Sequence, residues 1–266
     1  MSTKTIDLEG LLAGKFPDKH FPKWALSFLK RWLRVDFINK YLEKGYEGTE
    51  FCVKCLEHLD VKVEVQGLEN IPADGTLYTF ASNHPLGGID GVTIAGVVGQ
   101  EFGDPVLLVN DFLMAIPGLK PLFIPVNKVG GQSRALPQRV ASAFGSDRQV
   151  VIFPAGLCSR KIDGRVQDIA WTKTFVSKSV ESGRKVVPVH FIGQNSKRFY
   201  RVANLSKKLG IKFNIAMTLL PDELYRAQHK SFKVVFDEPI DPSVFDKSKT
   251  PAQWAAYVRE KVYTLQ

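Results

Sequence analysis

A histidine and an aspartate stand six positions apart in the segment SNHPLGGIDG at 82–91. Imidazole takes and gives protons near neutrality, and a carboxylate beside it fixes its tautomer and stabilises the imidazolium. The glycines between them let the backbone bend so that Asp90 can face the His84 ring. The chemistry open to such a pair is general-base activation of an attacking hydroxyl. A purely structural reading fits the same residues: Asp90 as a helix N-cap, with His84-Pro85 and Gly87-Gly88 as turn residues.

The pair needs a rigid support. The apolar run 77–81 reads as a strand ending just before the motif, and the run 92–98 is compatible with a helix just after it. Further strands are expected at 61–66, 106–110, 122–126, 149–153, 185–192, 213–219 and 232–236. Helices are expected at 49–59, 134–144, 172–181 and 251–263, with a helical or irregular stretch around 112–118. This alternation predicts an α/β fold: a mixed, mostly parallel central sheet flanked by helices on both faces.

The first 60 residues differ from the rest. Over 21–42 the chain reads FPKWALSFLKRWLRVDFINKYL, with Pro22 suited to a first helical turn. As one helix, this places Trp24, Phe28, Leu29, Trp32 and Val35 on one face, and Ser27, Lys30, Arg31 and Arg34 on the other. Aromatic rings beside basic side chains fit an interfacial anchor among anionic lipid headgroups; the alternative is a helix whose aromatic face covers its own domain. The expected organisation is an N-terminal helical, membrane-interfacial segment at 1–60 and a main domain at 61–266.

With 266 residues, 44% apolar and 24% charged, the chain has the composition of an ordinary globular protein with a substantial core. No apolar run approaches the roughly 18 residues of a membrane span. The N-terminus, with Asp7 and Glu9, lacks the apolar stretch and cleavage site of a secretory signal. Lys and Arg outnumber Asp and Glu by 36 to 27, a net charge of +9, which favours anionic lipid, nucleic acid or an acidic protein partner. No nucleic-acid motif accompanies the charge, so nucleic acid is not expected as a partner. Cys52 and Cys55 form a CxxC with His58 three residues on, but zinc needs a fourth ligand. They read as small buried thiols, and no metal is expected.

Downstream, FPAGLCSRK at 153–161 and VVPVHFIG at 186–193 follow the histidine motif in order. Over 61–193 these blocks resemble the PlsC-like lysophospholipid acyltransferases, whose pattern is NHxxxxD, a glycine followed by F-I-x-R, FPEGTRS, and an apolar run containing proline. The resemblance implies a 1-acylglycerol-3-phosphate acyltransferase-like enzyme that carries a fatty acyl group from acyl-carrier protein or acyl-CoA to the hydroxyl of a lyso-lipid. It implies a peripheral position on a lipid surface, the inner face of the cytoplasmic membrane, and no cofactor beyond the thioester co-substrate. His84 and Asp90 are then the catalytic pair. The substrate-binding set is Asn83, Gly87, Gly88, Pro154, Ala155, Gly156, Ser159, Arg160 and Lys161, with Lys128 and Arg134 from the preceding segment.

The chain departs from that pattern at informative places. Five residues rather than four separate His84 from Asp90, so the glycine pair must absorb one more. Val126 in GLKPLFIPV stands where the family has arginine; in the third block Ala155 replaces the glutamate and Cys158 the arginine. The family's arginines bind a glycerol-phosphate acceptor with forked donors. Arg160, two positions late, and Lys161, Lys128 or Arg134 are the available substitutes, and a carboxylate acceptor needs less charge. The pattern is closer to the branch often labelled hemolysin-like, which includes O-acyltransferases that finish ornithine and glycine lipids. Taken alone, 153–159 also reads as a strand end entering a loop, with Arg160 and Lys161 as surface charges.

The expected reaction is deprotonation of the acceptor hydroxyl by His84, with Asp90 orienting the ring and backbone amides at 86–88 or 155–157 as candidate oxyanion donors. The rivals are a hydrolase, in which the pair activates water, and a non-catalytic lipid- or carrier-binding protein. No GxSxG elbow supports the first. His190, in the fourth block, reads as core strand without a catalytic role.

Overall fold

The computed structural model describes residues 5–15, 18, 20–109, 116–125, 136–210 and 215–266. Its strands are β1 (Lys62–Gln66), β2 (Tyr78–Ser82), β3 (Val106–Val109), β4 (Phe123–Pro125), β5 (Val150–Ile152), β6 (Arg160–Ile162), β7 (Arg165–Gln167), β8 (Lys185–Ile192) and β9 (Ser231–Phe236). Among the described residues, seven of them form one sheet in the order β1-β9-β8-β2-β5-β3-β4, and β6 pairs with β7 alone. Within the sheet every neighbouring pair is parallel except β8 with β9.

β2 lies at the centre and is buried at every residue. Its alternating side chains feed two apolar layers, as expected of a strand covered on both faces. Phe80 joins Val151, Val187 and Val189 in a core shared with α3 (Val35–Leu42), α4 (Gly48–His58) and α5 (Ile89–Phe102). Ala81 joins Val150, Ile152 and Val186 in a second core, shared with α6 (Leu136–Phe144), α7 (Thr174–Ser182) and α10 (Pro251–Thr264). The approach of α4 to α5 depends on Gly99, where a Cβ would stand 1.9 Å from Thr49 Oγ1.

Register brings Ala81 of β2 opposite Ile152 of β5 and Pro188 of β8. β2 and β5 therefore run out side by side while β8 continues past them, leaving a ledge at the carboxyl ends of three parallel strands. Open α/β sheets bind ligands at such ends. At the opposite end the fully buried Arg184 donates to the carbonyls of Phe144, Ser146, Arg148 and Tyr78, tying the loops that enter these strands.

Two expectations need correction. The single helix expected over 21–42 is two, α2 (Lys23–Trp32) and α3, broken at Arg34, which has φ 53. The break lets Arg34 donate from Nε and Nη2 to Asp222 Oδ1 (2.9 and 2.6 Å) and lie 4.2 Å over the Tyr225 ring. The strand expected at 213–219 is instead a 3-10 turn over Ile215–Leu219 leading into α9 (Leu220–Arg226), with 211–214 outside the described residues. Ala216 and Leu219, three apart, are its buried pair, a helical rather than a strand spacing. Tyr41, Leu42, Phe51, Cys52, Cys55 and Leu59 pack with β2 and α5 in one core. No helix among the described residues is long and apolar enough to cross a membrane.

Candidate active site

Beyond Ser82 the β2–β8 ladder is continued by a side chain. Asn83 Oδ1 accepts from Phe191 N (2.7 Å) and its Nδ2 donates to the Phe191 carbonyl (3.0 Å), pinning the chain one residue before His84. The His84 ring, partly buried, stacks on Phe153 with 4.1 Å between centroids. The chain then turns through Gly87, at φ 76, before Gly88 caps α5. The spacer takes a left-handed turn here, a conformation that suits glycine.

Asp90 is fully buried in the first turn of α5 and is not its N-cap. Its Oδ2 accepts from His84 Nδ1 (3.1 Å), Leu86 N (2.8 Å) and Gly87 N (3.1 Å), and its Oδ1 from Gly91 N (2.9 Å). A carboxylate that only accepts places the hydrogen on Nδ1, leaving the Nε2 lone pair as the basic site. Burial alone would raise the Asp90 pKa, but the charge and hydrogen bond of His84 and the two amides outweigh it and hold the carboxyl below its ordinary value. For His84, burial pulls down, yet the charge and hydrogen bond of Asp90 and the charge of Asp168 leave the imidazole above its ordinary value, with Arg160 opposing.

The turn after β5 closes over this pair. Gly156 N donates to the Phe153 carbonyl (2.9 Å), and the Pro154 carbonyl accepts from Thr172 N and Oγ1 (3.0 Å each). Ser159 N donates to the His84 carbonyl (2.7 Å). Ala155 and Cys158 are buried and Gly156 is exposed. Burial pushes the Cys158 thiol up to about 12, which suits packing rather than nucleophilic attack. Arg160 Nη1 donates to the carbonyls of Cys158 (2.7 Å) and Ser159 (3.3 Å); Lys161 is exposed on β6. Of the expected oxyanion donors, the amides of Leu86 and Gly87 are taken by Asp90 and that of Gly156 by Phe153. Lys128, Arg134 and Val126 lie outside the described residues.

Sequence reasoning missed two polar residues in this site. Asp168 is buried where the β6–β7 hairpin ends, its Oδ1 accepting from Ser159 Oγ (2.5 Å) and His84 N (3.3 Å), and its Oδ2 from Trp171 Nε1 (2.8 Å). Asn195, just past β8, donates from Nδ2 to the carbonyls of Pro85 (3.2 Å) and Leu86 (3.4 Å). Neither stands in a sequence pattern with His84; only the Asp163-Gly164 turn signal marked the hairpin that brings Asp168 back. His190 points elsewhere, its Nδ1 donating to the Leu265 carbonyl (2.7 Å).

The aromatic face of α2 is divided. Trp32 packs against the protein, its Nε1 donating to Thr218 Oγ1 (3.3 Å) and its ring lying 4.8 Å beneath Arg198 of α8 (Lys197–Lys208). Trp24 and Phe28 are 75% and 58% exposed.

A family model described as Acyltransferase matches residues 11–266. A lyso-glycine lipid O-acyltransferase of Bacteroides thetaiotaomicron is 51% identical over 265 residues, covering 98% of this chain and 97% of the relative. One of the same name from Phocaeicola vulgatus is 49% identical over 266 residues, covering 98% and 95%. Among solved structures, the 1-acyl-sn-glycerophosphate acyltransferase PlsC of Thermotoga maritima superposes with a TM-score of 0.51 at 19% identity, over 96% of this chain and 87% of that one. At that identity the likeness speaks for the fold.

Proposed function

The chain belongs to this acyltransferase family, an O-acyltransferase of lipid biosynthesis, and from that premise we propose that it acylates the free hydroxyl of a lyso-glycine lipid by general-base catalysis at His84. The observation that carries the mechanism is the 3.1 Å bond from His84 Nδ1 to an Asp90 carboxylate held by three backbone amides.

In this reading the acceptor hydroxyl approaches Nε2 and its oxygen attacks the carbonyl carbon of an acyl thioester from acyl-carrier protein or acyl-CoA. The proton passes to Nε2 as the C–O bond forms. Collapse of the tetrahedral intermediate breaks the C–S bond, and the imidazolium returns the proton to the departing sulfur. Asp90 holds the ring and stabilises the imidazolium between the two transfers. Base catalysis supplies about 10²–10⁴-fold, and alignment and oxyanion stabilisation supply the remainder.

A glycine lipid presents a carboxylate where a glycerophosphate presents a phosphate. Arg160 supplies positive charge beside the pair, as its effect on His84 reflects, and Cys158 is neutral where the related pattern has arginine. A carboxylate needs fewer charged donors than a phosphate. Pro154, Ala155, Gly156, Gly88 and Lys161 form the proposed acceptor surround, while Asn83, Gly87 and Ser159 act by fixing the loops.

Trp24 and Phe28 on α2, beside the basic Arg31, support peripheral attachment to an anionic bilayer, from which a lyso-lipid reaches the site without leaving the surface. The experiment that tests the acceptor is product analysis by mass spectrometry with lyso-lipids matched in chain length but carrying glycine, ornithine or glycerophosphate heads. The reading expects the glycine acceptor to be consumed fastest. Preference for glycerophosphate would overturn it.

A further inference from the structure

One small network brackets the His84 peptide. Asp168 Oδ1 accepts from His84 N (3.3 Å), Ser159 N donates to the His84 carbonyl (2.7 Å), and Ser159 Oγ donates to Asp168 Oδ1 (2.5 Å), closing a ring of hydrogen bonds around the catalytic residue's main chain. Asp168, 1% exposed, is itself anchored on the far side. Trp171 Nε1 donates to its Oδ2 (2.8 Å), its backbone N donates to the Tyr263 hydroxyl (2.7 Å), and Arg259 Nη2 donates to its carbonyl (2.6 Å). α10 carries Tyr263 and Arg259, and its start is fixed by a capping box in which Thr250 and Gln253 exchange hydrogen bonds.

Both Asp168 oxygens accept and neither donates, the pattern of an ionised carboxylate. The His84–Asp90 pair would be complete without it. A buried charge removed from water is costly, so its retention beside a base calls for a role.

We propose that Asp168 is a positioning residue for the acyl transfer: with Ser159 it fixes the His84 main chain, and it sets a second buried negative charge near the imidazole that Asp90 orients. The inference rests on His84 being the base. Asp90 of α5 bonds the ring and Phe153 stacks on it; Asp168, from the segment after β7, and Arg160 of β6 act on it through their charges, and the neutral Cys158 thiol lies against Gly87 in the same turn. Two carboxylates against one guanidinium favour the imidazolium that forms as the acceptor loses its proton. Burial leaves the Asp168 carboxyl above its ordinary value, with the hydrogen bonds from Ser159 and Trp171 and the charge of His84 opposing it.

The test is an NMR titration of the full chain's five imidazoles, with His84 assigned by its loss in His84→Gln, in wild type, Asp168→Asn and Asp168→Glu, alongside kcat/KM against pH. Loss of the charge in Asp168→Asn is expected to move the His84 midpoint and the acid limb to lower pH by about half a unit or more. Asp168→Glu keeps the charge and is expected to stay near the wild-type midpoint. A His84 midpoint unchanged in folded Asp168→Asn overturns the proposal. Should that variant fail to fold, the smaller Asp168→Ser removes the same charge and carries the same criterion. The titration needs no turnover, so a shifted midpoint in a protein that transfers no acyl group would count against the acyltransfer reading and leave the Asp168 geometry standing.

Discussion

Gly87 packs directly against Cys158: a Cβ on the glycine would stand 2.3 Å from the cysteine sulfur. Two departures from the PlsC-like pattern thus meet in space, the lengthened spacer of the first block and the loss of arginine from the third. The turn that carries the extra residue fills room beside a small neutral side chain where the related pattern has a long cation.

The two glycines of the spacer are therefore unequal. Gly87→Ala combines left-handed backbone with the Cys158 collision and is expected to displace the Asp90 amide donors, lowering kcat by about tenfold or more. At Gly88, φ is −138 and an added Cβ meets nothing within 4 Å, so Gly88→Ala is expected to keep its thermal midpoint. Should Gly88→Ala raise KM without changing that midpoint, acceptor fills the space above it. Thermal melts and steady-state kinetics on both variants decide the contrast.

Activity and pairing energy are expected to move in opposite directions with pH. His84 must be neutral to act, so kcat/KM rises as pH passes upward through an imidazole pKa that lies above its ordinary value. The same raised pKa makes the charged pair's contribution to stability complete below the unfolded imidazole value and lost as pH rises through the folded one. The depressed Asp90 pKa sets the other boundary, with its contribution lost as pH falls through the folded carboxyl value. Melting curves of wild type and His84→Gln across pH should converge at the alkaline end of the His84 titration.

In the proposed reading Arg160 serves both acceptor binding and the base. Its charge opposes protonation of His84, so Arg160→Gln is expected to move the acid limb to higher pH. Loss of one charge-assisted contact to a carboxylate should also raise KM for the acceptor by about tenfold or more, with less effect on the thioester. An unchanged acceptor KM would remove Arg160 from the acceptor site.

For the surface, Trp24→Ala with Phe28→Ala is expected to weaken sedimentation with anionic vesicles while leaving the fold intact, since both rings are exposed. Trp32→Ala, by contrast, should lower thermal stability, because its ring packs beneath Arg198 and its Nε1 binds Thr218. Equal vesicle binding by the double variant and wild type would count against α2 as the anchor.

Much of the fold was legible because strand periodicity survives burial: β2, β8 and β9 fall within a residue or so of their expected runs. α8 was missed although Ser196 caps it and Phe199, Tyr200, Ala203 and Ser206 recur at helical spacing, a signal diluted by the basic residues between them. The break at Arg34 was not legible, because it answers to Asp222, 188 residues away. In the site, His84 and Asp90 were legible because one turn holds both. Asp168 and Asn195 reach that turn only through the sheet topology, at separations of 84 and 110 residues from His84 and Pro85, which no local spacing encodes.

In the proposed mechanism His84 takes the proton of a lipid hydroxyl during acyl transfer. The most direct measurement of that step is mass-spectrometric quantification of the O-acylated product formed by wild type and His84→Gln from an acyl thioester and an N-acylated glycine bearing a free hydroxyl. The account predicts ester formation by wild type, reduced about 10²–10⁴-fold in folded His84→Gln. Ester formed by His84→Gln at the wild-type rate, or free fatty acid as the sole wild-type product whatever the acceptor, would contradict it.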